Sequence, residues 1–320
     1  MAWTTTDLLA DVRRRAMLPN VSTQGTTDAD LLEYANNEMS ANLVPLVMSV
    51  NEEFFVQTVD VATISGQYAY RLPNRNVGGK LRDVNYIMGA ALLNLARIEP
   101  EQLTQFVVGS VGFPAGFYLE SGSINLIPKP SVGGLLRFKH FVRPGRLITS
   151  TAQYGTITAV NYTGPDTVVL SVSGSSPFVP SSGPTVDVIA ANPPFEYLLT
   201  NATVTSTVSG GTVDRTVTVT SPTSPPPNFS PNIQVGDYIT QLDVSPVIQL
   251  PVELHSLLAQ RIVCAVMESF GYQERWAQAK RIADEMEERA LRLIAPRVDG
   301  APKKMRGILN THTRFGPGLR

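Results

Sequence analysis

Cysteine is almost missing from this chain: Cys264 is the only one in 320 residues. An intrachain disulfide and a cysteine-based metal site are therefore excluded, and a reducing compartment is expected. Cys264 falls in the apolar run IVCAVM and reads as a buried thiol. Histidine is scarce as well. His140, His255 and His312 are the three, none with a second histidine or a carboxylate at metal-ligand spacing. No stretch approaches the roughly 20 apolar residues of a membrane span. The opening MAWTTTDLLADVRRR lacks a secretory apolar region, so the expectation is a protein inside a cell or assembled there. Charge is sparse at 17%, while 43% apolar content is enough for a real core.

Catalytic signatures are missing too. The sequence has no GxSxG elbow, HExxH or glycine-rich phosphate loop. Gly78-Gly79-Lys80 lacks the spaced glycine and the following Ser/Thr, and reads as a turn. Acids are paired at Glu52-Glu53, Glu99-Glu101, Asp284-Glu285 and Glu287-Glu288. Glycoside hydrolysis needs two carboxylates facing each other across a cleft, and the helical Glu287-Glu288 is more simply a solvated face. Tyr68, Tyr70, Phe117 and Tyr118 could stack sugars, but core or interface packing is the plainer reading. The chain reads as no enzyme and calls for no cofactor or metal.

What is present is a change of period along the chain. Thr4 and Asp7 resemble a capping box, after which Leu8, Val12 and Ala16 give one apolar face that Pro19-Asn20 ends. A second helix starts at Thr27-Asp28-Ala29-Asp30, with Pro45 expected to kink or break it. From Phe54 the period is two. FFVQTVDVATISGQYAYRLP reads as a hairpin about Ser65-Gly66-Gln67, RDVNYIMG and ALLNLARIEP as strand and return, and GFYLESGSINLIPKP as another hairpin. A short helix opens at Glu101-Gln102-Leu103. In GGLLRFKHFVRP, Leu136, Phe138, His140 and Val142 share one face.

From Thr149 to Gly236 only Asp166, Asp187, Glu196, Asp214 and Arg215 are charged. Five short runs (TITAVNY, TVVLSV, VDVIAA, TVTSTV and RTVTVT) predict a small β-sandwich or barrel, and SPTSPPPNFSPN an exposed loop. The helical period returns after Pro251. Trp276, Ala279, Ala283, Met286, Ala290 and Leu293 then step 3-4-3-4-3, the cleanest stripe in the chain.

The predicted class is α+β. A helical bundle from 1–55 and 247–295 carries a β-hairpin region (56–148) and a β-rich, sandwich-like insert (149–236), followed by an extended tail (296–320). The first and last segments cannot bury their stripes alone, so they should pack on each other.

The ending RVDGAPKKMRGILNTHTRFGPGLR holds six basic residues and one acid. Without it the chain has 20 basic and 26 acidic residues, so a body of −6 bears an end of +5. A block of one sign points to a partner of the other. Lys303, Lys304, Arg306 and Arg314 could pair with carboxylates while Met305, Ile308, Leu309 and Phe315 fill pockets on a partner's surface.

Several segments, in order, resemble one family: TTTDLLADVRRRAMLPN, TDADLLEYANNEMSANLVPLVMSVNEEFFV, YRLPNRNVGGKLRDVNYI, VGDYI, LPVELHSLLAQRIVCAVMESFG and ALRLIAPRVDGAPKKMRG. They look like the adaptor proteins of short-tailed bacteriophages, also called head-completion or head-to-tail connector proteins. The likeness is nearly full length and weakest in the insert, and it rests on the order of segments rather than on one diagnostic motif. It implies a virion protein in the phage neck, assembled in the host bacterial cytoplasm as a homo-oligomeric ring, commonly of twelve copies. The ring would join the portal protein to the tail or nozzle protein, with double-stranded DNA passing through the lumen without specific binding. The C-terminal segment would run up along the portal, and the insert could hold tail fibres. Two other readings compete: a fibre-attachment or baseplate component that binds through its β insert, and a cell-wall hydrolase.

Overall fold

The computed structural model describes residues 3–18, 26–73, 75–89, 91–105, 109–163, 167–173, 178, 185–208, 215–220 and 233–295. Helix α1 (Thr5–Ala16) begins at a reciprocal cap, in which the Asp7 N–H donates to the Thr4 hydroxyl and the Thr4 N–H donates to the Asp7 carboxylate at 3.0 Å. An acid thus does the work of the usual Glu. The helix ends at Met17, which takes a left-handed φ of 53°. In α2 (Asp28–Glu38), Thr27 and Asp30 repeat the device. The Thr27 hydroxyl and N–H hold the Asp30 carboxyl below its ordinary value.

The expected disturbance near Pro45 takes a definite form. Residues Met39–Leu43 make a π-helical turn, in which the Val44 N–H reaches back to Met39 O, and α3 (Val44–Val50) then starts with Pro45 in its first turn. A proline has no N–H to give the preceding turn, so the widened turn relieves the conflict before the new helix begins.

Residues 56–142 hold β1 (Val56–Ala62), β2 (Ala69–Arg71), β3 (Asn76–Met88), β4 (Ala91–Asn94), β5 (Ala96–Arg97), β6 (Val111–Gly112), β7 (Gly116–Glu120), β8 (Ser123–Ile127), β9 (Lys129–Pro130) and β10 (Leu135–Val142). They form two four-stranded sheets, β1-β10-β3-β4 and β2-β8-β7-β5, with a short β6-β9 pair beside them. Val84, Tyr86, Leu136 and Phe138 from the first sheet share a core with Tyr70, Phe117, Ile124 and Leu126 from the second. The hairpin expected about Ser65-Gly66-Gln67 does not form. β1 pairs with β10 and β2 with β8, so that turn lifts the chain from one sheet to the other. The β3-β4 and β7-β8 hairpins do form. Gly78 and Gly79 lie inside β3 rather than in a turn, both at positive φ, where the β3-β10 register slips.

After β11 (Arg146–Leu147) come β12 (Tyr154–Tyr162), β13 (Thr167–Val172), β14 (Thr185–Ile189), β15 (Tyr197–Val208), β16 (Arg215–Thr220) and β17 (Tyr238–Gln241). They close into a barrel in the order β12-β13-β16-β15-β14-β17, which removes every sheet edge, so the sandwich expectation gives way to a barrel. Ile157, Leu170, Val188, Val204, Val219 and Ile239 fill it. The sixth strand, Tyr238–Gln241, lies past Gly236. Strand β18 (Val244–Ser245) pairs with β11, and helices α4 (His255–Ser269) and α5 (Gln273–Ile294) follow.

Leu8, Val12, Leu31 and Leu43 from the start of the chain share one core with Leu258, Ile262, Val266, Ala283 and Ala290 from its end. Polar bonds cross the same contact. The Thr5 N–H and hydroxyl both donate to Pro246 O at 2.9 Å, and Arg261 on α4 pairs with Glu38 on α2 and Glu287 on α5. The α5 stripe follows the predicted spacing until its last position. Ile294 is buried and Leu293 is 70% exposed, because a straight helix drifts off a strict seven-residue repeat. The molecule is α+β, and no helix among the described residues is long and apolar enough to cross a membrane.

Candidate functional site

The eight tail residues singled out from sequence (Lys303, Lys304, Met305, Arg306, Ile308, Leu309, Arg314 and Phe315) lie outside the described residues. Of the histidines, His140 and His255 are buried at separate places, and His312 lies in the undescribed tail. Cys264 is half-buried rather than buried, and burial pushes its thiol up to about 11, so it is a poor nucleophile. Among the described residues no group of three or more His, Cys, Asp or Glu is placed to hold a metal ion.

Five of the eight paired acids are in ion pairs, among them Glu285 with Arg289. Glu287 turns inward to Arg261 instead of lying on a solvated face, Glu288 meets Arg292, Glu53 meets Arg82 and Glu99 meets Arg97. Tyr70 and Phe117 are core residues, whereas Tyr68 is exposed under Lys129, whose ammonium lies 5.1 Å from its ring centroid.

The densest polar constellation joins the two-sheet unit to the barrel. Arg75, just before β3, is 8% exposed. Its Nη2 donates to Asp187 Oδ2 at 2.6 Å and its Nε to Asp243 Oδ1 at 2.6 Å. Its guanidinium carbon lies 4.4 Å from the centroid of the Tyr197 ring. Asp187, fully buried on β14, also accepts the N–H groups of Asn201 at 2.9 Å and Asp243 at 3.1 Å. Burial pushes its carboxyl up from the ordinary value, against the opposing pull of Arg75 and these two donors.

Burial likewise pushes the Tyr197 phenol up, and its hydroxyl donates to Gln249 Oε1 at 2.7 Å. Gln249 Oε1 also accepts the Gly145 N–H at 2.7 Å, and its Nε2 donates to Phe195 O at 3.1 Å. A Cβ at Gly145 would sit 2.9 Å from the Tyr197 hydroxyl, so glycine is needed for this approach. Phe195 in turn stacks on His255 at 5.9 Å, which carries the junction to the start of α4.

Beside this junction a cleft of about 540 Å³ runs between β1 and β15. Residues 57–61 line one wall, and 198–201 stand opposite with Leu72, Pro73 and Leu242. Arg137 grips Asp60 with two parallel bonds of 2.8 and 2.7 Å. The Gln57 Nε2 donates to Tyr197 O at 3.2 Å while its Oε1 is buried without a partner; Arg75 Nη1 and His140 Nδ1 are unpartnered as well. Burial pushes the His140 imidazole down to about 4, so it is neutral at physiological pH and no base of useful strength.

Sequence reading passed over this junction. Its signal was Asp187 itself, one of few charges between Thr149 and Gly236 and set in the apolar strand TVDVI, since a buried carboxylate needs a cation. Which cation could not be read, because Arg75 lies 112 residues away.

No protein-family model matches this chain, and no curated protein matches it.

Proposed function

We propose that this chain is a structural, non-enzymatic adaptor of a short-tailed bacteriophage virion. Copies assemble as a ring, commonly of twelve, joining the portal protein to the tail or nozzle protein, and DNA passes through the lumen without specific binding. The helices from both ends of the chain form the bundle of the ring wall. The barrel is the inserted all-β domain and the part that holds tail fibres. Residues 296–320 dock on the portal through Lys303, Lys304, Met305, Arg306, Ile308, Leu309, Arg314 and Phe315.

One observation supports this reading above the others. Helices from the two chain ends share a single core, and the basic end segment departs directly from α5, the outermost of them in sequence. A body of net −6 with such an end of +5 suits a subunit that repels DNA along its walls and reaches for an acidic neighbour. Many identical end segments in one ring also act together, so each can be weak alone.

Mass measurement of full-length protein mixed with portal tests this. The expected result is a ring-portal complex that a chain truncated after Pro296 no longer forms, although the truncated protein stays folded. Normal incorporation of the truncated chain would overturn the docking role, and a trimer or hexamer indifferent to portal would favour a fibre component.

A further inference from the structure

The cleft beside Arg75 follows a strand edge. β1 is the outermost strand of its sheet and pairs only with β10. The Thr63 N–H bonds Gly134 O at 2.8 Å, which places the residue 63–134 pair among the hydrogen-bonded ones. Antiparallel pairs alternate, so residues 57, 59 and 61 bond to β10 while Thr58, Asp60 and Ala62 turn their N–H and C=O groups the other way. Among the described residues nothing bonds those groups. The cleft is lined by five consecutive residues of β1, 57 to 61. Since successive side chains point to opposite faces, only an opening along the strand's edge touches all of them.

We propose that this edge accepts an extended peptide segment of another protein as an added strand. Natural proteins guard free edges with charge. β1 carries one charge, Asp60, and both of its oxygens are engaged by Arg137. An incoming backbone therefore meets open donors and acceptors at the outward-facing residues without repulsion. Leu72, Leu198 and Leu199 supply an aliphatic wall for alternate side chains.

Charge sets the orientation. Arg75 is buried between two carboxylates and offers no free charge to a ligand. Arg71 is exposed, borders the same cleft and has no ion-pair partner among the described residues. The ligand is accordingly an extended, aliphatic segment with an acidic residue at the end that reaches Arg71. None of this depends on the adaptor reading.

Residue-resolved hydrogen exchange and peptide selection on the full-length chain test it. In the free protein the N–H of Thr58 should exchange faster than those of Gln57 and Val59. Slow exchange at Thr58 would mean that the edge is already occupied. A displayed random-heptapeptide library should yield sequences with alternating aliphatic residues and a terminal Asp or Glu. A synthetic peptide of the enriched sequence should then slow Thr58. Thr58→Pro removes the outward N–H without breaking a ladder bond and is compatible with an edge strand, so the fold should persist while peptide affinity falls by about tenfold or more, whereas Thr58→Val, which loses the hydroxyl but keeps the N–H, should bind nearly as the parent does. Arg71→Ala should weaken the same peptide by about threefold to tenfold.

Selection that returns only peptides indifferent to Thr58→Pro, or none, overturns the proposal. So does self-association abolished by that substitution, which would make the occupant a second copy, or saturable binding of a neutral disaccharide such as maltose in the cleft.

Discussion

Arg75 Nη2 and Asp187 Oδ2 lie 2.6 Å apart although 112 residues separate them in the chain, and both side chains are buried. The pair fixes the barrel against the two-sheet unit. Removing one partner strands the other's charge, which typically costs about 3–5 kcal/mol at a buried site. Arg75→Met should therefore lower unfolding stability by about that much in urea titrations. Asp187→Asn should be milder, because the amide oxygen still accepts a backbone N–H and Arg75 keeps Asp243. Equal and small losses in both variants would show that the pair is not what holds the junction.

His140 makes stability depend on pH. Burial holds its folded pKa at about 4, against an ordinary value of 6.5. Between those values the unfolded chain binds the proton and the folded chain does not. The stabilisation is complete above pH 6.5 and is lost as pH falls towards 4, an effect on the order of 3 kcal/mol. His255 is pushed down by burial as well and acts in the same direction. Urea midpoints measured from pH 7.5 to pH 4 should fall for the parent chain and fall less for His140→Gln; parallel curves would remove His140 from the account.

Local signals were legible in the sequence, and long-range ones were not. Thr4 with Asp7 and Leu136 with Phe138 announce a cap and a buried face, because the chemistry lies within one turn or one strand. The Ser65-Gly66 turn looked like a hairpin because sequence shows that a chain bends and not which strand receives it. The Gly66 N–H bonds Pro130 O, a partner 64 residues on. Tyr238–Gln241 was missed as a barrel strand since four residues of modest pattern mean little until five others surround them. The tail residues that motivated the functional reading lie outside the described residues. Asp187 points to a buried cation, but that Arg75 supplies it, and that the β1 edge is left open, follow only from tertiary placement.

The stripe on α5 gives a sharp contrast between neighbouring positions. Ala283 is buried against α4, and the Gln260 Nε2 donates to Ala279 O at 3.2 Å, so the two helices approach closely there. Ala283→Leu should overpack the contact and cost about 1–3 kcal/mol in urea unfolding. Leu293→Gln, on the exposed side, should change stability by no more than about 0.5 kcal/mol. A large effect at Leu293 alone would indicate that its face is covered in solution, which native mass measurement of the same sample would reveal as an oligomer.

The barrel's own core suggests excision, and its junction says what excision will cost. Cutting 149–236 would leave β17 behind with Ile239 exposed, so the cleaner excision runs from 154 to 241, closed by a short Gly-Ser linker. That chain still loses Asp187, Tyr197 and the Phe195 ring stacked on His255, and it leaves Arg75 with Asp243 alone. Excision should therefore give a folded but weakened helical core, and Arg75→Met should destabilise the excised chain far less than the intact one, because the buried partner is already gone. Circular dichroism and urea unfolding of the four chains measure this. If Arg75→Met costs the same in both backgrounds, the energy at Arg75 comes from its own sheet and not from the barrel.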